Sequence, residues 1–198
     1  MGVGSRIQAI TPGSAAISLG SVTDPTNRIR LQPLPYTAPG GPVHSTASQL
    51  RWLSSTRLLY LAERADYHVR CVVCVEWDTI ITGLDVVSLD VSQPGSTPLR
   101  LPGTENASGV SAGATEDEIY FTRNADSRVY RQALSTGIVS VAHDFGSAGT
   151  ARDVHVVGNR MAVVVGGRVA YGLDPAFGLT QWDSGGTLHV VDLQTGGD

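Results

Sequence analysis

Frequent turn residues, short runs of alternating apolar and polar side chains, and recurrence of those runs every roughly 40 to 50 residues predict an all-β fold: a β-propeller or partial propeller of four-stranded antiparallel blades. The 198 residues include 23 glycines and 10 prolines, and helix-period stretches are few, so the chain reads as short strands separated by turns. One small sheet cannot bury both faces alone, so a repeated sheet implies neighbours. Residues 1–198 are expected to form one propeller-like domain with units near 5–45, 46–102, 108–145 and 151–198.

The third unit is the most regular. It runs through Ser111-Ala112-Gly113-Ala114, Glu118-Ile119-Tyr120-Phe121-Thr122, residues 127–134, and Gly137-Ile138-Val139-Ser140-Val141. Alternation within these runs marks half-buried strands, and Asn124-Ala125-Asp126 and Ser135-Thr136-Gly137 carry turn chemistry. The second unit repeats the plan at 49–53, 57–61, 84–90 and 98–101. Its insertion, 65–83, is expected to lengthen the hairpin between second and third strands and protrude. The fourth unit supplies strands at 153–157, 160–165 and, after a second insertion at 171–185, 187–193. Gln194-Thr195-Gly196-Gly197-Asp198 then reads as a turn, which leaves this unit one strand short. The first unit is the least regular, with strands at 6–10, 15–19 and 28–34 and a weak fourth at Pro42-Val43-His44. Its Pro-rich joint, 33–42, suits an exposed edge.

Composition excludes several function classes. Hydrophobic residues make up 41% and charged residues 16%, too apolar for disorder. No run approaches the roughly 20 apolar residues that cross a bilayer as a helix. All 14 cationic residues are arginines, scattered singly in a chain of net charge −4, which is not a nucleic-acid footprint. The first six residues carry no basic segment leading into an apolar one, so no export signal is expected there.

The local motifs are each weighed against a bland alternative. Gly109-Val110-Ser111-Ala112-Gly113 fits the nucleophile-elbow pattern, which requires a strand before the serine and a helix after it. A β-like run follows instead, so Ser111 is read as part of a small-residue inner strand. Cys71 and Cys74 form a C-x-x-C within a valine-rich run, which is either a redox pair, half of a metal site, or two small buried thiols. The five histidines lack metal-motif spacing. Asp153-Val154-His155 places a carboxylate and an imidazole on one strand face, readable as an acid/base or metal pair or as a structural one. Glu116-Asp117-Glu118 reads as a solvated turn, and Asn106-Ala107-Ser108 fits a glycosylation acceptor. Trp77-Asp78 and Trp182-Asp183 fall in the insertions rather than at the end of a third strand. No phosphate-cradling glycine motif follows a strand, so no cofactor and no catalytic or metal-ligating residue is expected.

The patterns Gln49-Leu50-Arg51-Trp52-Leu53 before Leu58-Leu59-Tyr60-Leu61, Glu118-Ile119-Tyr120-Phe121-Thr122 before Arg128-Val129-Tyr130, and Thr187-Leu188-His189-Val190-Val191-Asp192-Leu193-Gln194-Thr195-Gly196 resemble TolB-like and other bacterial propeller repeats. The resemblance covers the last three units and implies architecture, since these are inner-strand and turn patterns shared by propellers of unrelated function. It implies a periplasmic or extracellular location if an export signal has been removed, and a cytoplasmic one otherwise. The chain departs from the family in two ways. The aspartate-glycine turn between first and second strands is replaced by Ser54-Ser55-Thr56 and Glu116-Asp117, and such propellers usually have more than four units.

An open arc of four sheets leaves apolar faces at both ends, the kind of patch that marks an interface. A compact ring, self-association, a partner subunit or further blades would each cover them, and residues 6–10 are one candidate for the missing fourth strand of the last unit. The expected function is therefore a non-catalytic protein–protein interaction or scaffolding module, an accessory subunit stabilising a larger assembly. Trp77, Tyr171, Phe177 and Trp182 in the two insertions are the expected partner-binding anchors, because aromatic side chains dominate interface hot spots. The alternative is a propeller domain associated with a hydrolase, gating access to it.

Overall fold

The structure, a computed structural model, describes residues 16–20, 28–33, 36–37, 43–71, 76–92, 96–167, 169–174, 178–183 and 185–198, with side chains placed in 47–62, 83–92, 96–167 and 185–198. The chain divides into two compact units, Met1–Ala107 and Ser108–Asp198. Every described sheet is antiparallel and open, and the one helical element is a 3₁₀ turn at Gly146–Ala148.

In the first unit, β1 (Ala16–Gly20) pairs with β2 (Arg28–Pro33). A five-stranded sheet follows in chain order: β3 (Tyr36–Thr37), β4 (Val43–Trp52), β5 (Arg57–Cys71), β6 (Glu76–Asp90) and β7 (Leu99–Arg100). The ladder between β5 and β6 runs from Arg57 opposite Asp90 to Cys71 opposite Glu76, so the insertion lengthens this hairpin as expected. Val43 and His44, expected to end the first sheet, instead open β4 and pair with Thr37 and Tyr36. The reason is that β4 absorbs its irregularities as register shifts, between His44 and Ala47 and between Ser48 and Arg51, with Gln49 at φ 49°. One long strand therefore runs through where two were read. The expected strand at 6–10 lies outside the described residues.

This sheet is buried on both faces along its central strands. Leu58, Tyr60, Ala62, Val87 and Leu89 cluster on one face with Ala47, and the alternate positions Leu59, Leu61 and Val86 are no more than 1% exposed. Such continuous apolar runs mark strands covered on both sides. Asp85 is fully buried in β6, and its carboxylate is met by the Arg100 guanidinium on β7 at 3.0 Å. Arg100 also reaches Glu105 at 3.0 Å. The buried Thr104 hydroxyl donates to the Leu101 carbonyl at 2.7 Å and accepts the Val86 N–H at 3.2 Å. These contacts tie the short fourth strand and the loop after it to the sheet.

In the second unit, β8 (Ala107–Ala112), β9 (Glu118–Arg123), β10 (Arg128–Ala133) and β11 (Val139–Asp144) form a four-stranded meander. β12 (Ala151–Val157) and β13 (Arg160–Val165) follow, then a separate hairpin of β14 (Val169–Asp174) and β15 (Gly178–Asp183), and finally β16 (Thr187–Asp192), which joins β13 to make a three-stranded sheet. Among the described residues this sheet has three strands, and the insertion between β13 and β16 is the hairpin β14–β15, as the sequence predicts.

The four-stranded and three-stranded sheets of this unit pack face to face. Tyr120, Val129 and Phe145 from the first meet Val154, Val156, Met161, Val163, Val165 and Val191 from the second. Gly109 lies where the backbones come closest, since a Cβ there would sit 2.9 Å from the Asp153 Cα and 2.8 Å from the Thr122 hydroxyl. Only glycine fits. Polar bonds stitch the seam: the Val156 N–H donates to the Ser111 hydroxyl at 2.9 Å, and the Ala151 N–H to the Asp126 carbonyl at 2.8 Å. The other face of the meander, carrying Ile119, Phe121 and Gln132, is buried as well.

Replacing Arg100 with methionine takes one guanidinium away from the buried Asp85 carboxylate and is expected to cost about 3 kcal/mol of unfolding free energy, read as a lowered urea midpoint. An unchanged midpoint would show that this ion pair does not hold the sheet edge.

Candidate functional site

Four strand ends are closed by an aspartate that accepts the N–H two residues ahead: Asp90 from Ser92 at 2.8 Å, Asp126 from Arg128 at 3.1 Å, Asp144 from Gly146 at 2.9 Å and Asp192 from Gln194 at 2.8 Å. Hydrogen bonds to the ionised form favour it, and all four carboxyls lie below the usual aspartate range. The Ser92 hydroxyl does most for Asp90, the Ser127 hydroxyl for Asp144 and the Gln194 N–H for Asp192. Asp126 is the strongest case. Arg128 grips it with two guanidinium bonds at 2.9 and 3.1 Å, the Tyr130 hydroxyl donates at 2.6 Å, and its pKa falls from 3.8 to about 2. Arg123 lies over the Tyr130 ring at 4.3 Å, and Tyr130 stacks on Phe121 with centroids 5.4 Å apart. The sequence did not single out this cluster, although Arg128 and Tyr130 share one face of β10 and Asp126 lies in the turn two residues ahead of it. A second cluster places Phe145 between His143 and His189, at 4.5 and 5.0 Å, with His189 bonded to Asp198 at 2.5 Å. His189 comes from the other sheet, so no local spacing pointed to it.

The motifs weighed in the sequence resolve as follows. Ser111 is 2% exposed, donates to the Ala112 carbonyl at 3.0 Å while accepting from Val156, and is followed by a strand. It is a staple between sheets. Asp153 accepts the N–H of Val154 at 2.9 Å rather than bonding His155, which is exposed. In the acidic turn, Asp117 accepts both the N–H and the hydroxyl of Ser135, at 2.6 and 2.7 Å, and Glu118 pairs with Arg131. Asn106 is exposed at φ 61°, just ahead of β8. Among the described residues no group of three potential metal ligands gathers. Cys71 ends β5, opposite Glu76, and Cys74 lies outside the described residues.

Both insertions are β-hairpins. Trp77 pairs with Val69 near the far end of the first. In the second, Tyr171 pairs with Gln181 and Trp182 with Ala170, on successive rungs. Phe177 lies outside the described residues.

The least satisfied surface is the outer face of the last sheet. The register places Val157, Ala162, Val164, Leu188 and Val190 on the face opposite the packed one. Val157 and Leu188 are 68% and 64% exposed, and Val190 is 49% exposed. The neighbouring meander buries side chains on both faces of β9 and β10 while Val141 on its edge strand is 50% exposed, whereas this sheet buries one face. No helix among the described residues is long and apolar enough to cross a membrane. Compared with known proteins, the chain matches no family model and no curated protein.

Two outcomes are expected. Ser111→Ala leaves the buried Val156 N–H without an acceptor and should cost about 1–3 kcal/mol, read as a lower thermal midpoint. Asp126 has a depressed folded pKa, so its contribution is complete above pH 3.8 and lost as the pH falls toward about 2. The difference in urea midpoint between the native chain and Asp126→Asn should therefore be full at neutral pH and shrink across that window. A difference that stays constant with pH would contradict the assignment.

Proposed function

We propose that this chain is a non-catalytic interaction or scaffolding module built as a β-propeller-type array, an accessory subunit whose exposed sheet face is covered by a protein partner in a larger assembly. The observation that carries this reading is the contrast between sheets. The central strands β5, β6, β9 and β10 bury side chains on both faces, yet the last sheet leaves Val157, Leu188 and Val190 open on its outer face. Grouped exposed apolar side chains of this kind mark interfaces. The resemblance to TolB-like repeats supports the propeller architecture, and the two hairpins carrying Trp77, Tyr171, Phe177 and Trp182 are the proposed flanking anchors.

The test is light scattering on the purified chain together with binding of a hydrophobic dye. Either a mass above the 20.8 kDa monomer or dye binding is expected, and Val157→Glu, a change at an exposed position, should abolish whichever is seen. A monomer that binds no dye would sink the proposal.

A further inference from the structure

We draw no further inference here: the strongest candidate, the edge of β16 that has no neighbouring strand among the described residues of its three-stranded sheet, carries nothing, because nothing in the structure shows what covers it.

Discussion

Everything in this chain depends on small sheets covering each other's faces. A meander of four short strands has too little area to bury its own side chains, so its stability comes from a neighbour about 10 Å away. The seam between β8–β11 and β12–β13–β16 is where this can be followed atom by atom. Gly109 gives up its side chain so that the backbones can approach, and the Ser111 hydroxyl then satisfies a Val156 N–H that β12 would otherwise bury unpaired. Apolar packing drives the contact, with Met161, Val163 and Phe145 at its centre. The hydroxyls fix its register. A serine in a pattern that elsewhere signals a nucleophile is here consumed by the fold.

The charged residues do their work at strand ends. An aspartate closing a turn two residues ahead stiffens the joint, and it does so as the ionised form, which explains why four such carboxyls are all held below their ordinary range. Arginine suits the same joints, because a planar guanidinium can grip a carboxylate with two bonds and lie flat on an aromatic ring. Arg128 on Asp126 and Arg123 over Tyr130 illustrate the two uses within one turn. The buried pair of Asp85 and Arg100 extends the logic inward, where a guanidinium meets a carboxylate that is fully withdrawn from water.

Much of this fold was legible in the sequence, because strand periodicity and turn chemistry are local. Residues 118–122 and 160–165 fall within β9 and β13, and the long hairpin across the first insertion follows from uninterrupted strand-like sequence on both sides. Val43 and His44 were misassigned because bulges carry no strong local signal, so a strand with two register shifts reads as two strands. The candidate surface was legible only in part, as alternating apolar residues at 187–193. Which side chains it would expose required the register, since a slip of one residue would have exchanged Leu188 and Val190 for His189 and Val191. The histidine pair around Phe145 was not legible at all, because it joins two sheets.

Two of the edge strands of the second unit, β11 and β16, show how this chain manages its sheet edges. Edge strands invite unwanted pairing, and chains ordinarily blunt them with bulges, charges or short length. β11 follows that rule: its register with β10 slips between Val129 and Tyr130, and Ser140, His143 and Asp144 interrupt its apolar positions. β16 lies in the same unit and pairs with β13 without a slip; it exposes Leu188 and Val190, as β11 exposes Val141, and Thr187, His189 and Asp192 interrupt its apolar positions. Both strands meet the same demand, β11 with a register slip and polar residues and β16 with polar residues alone.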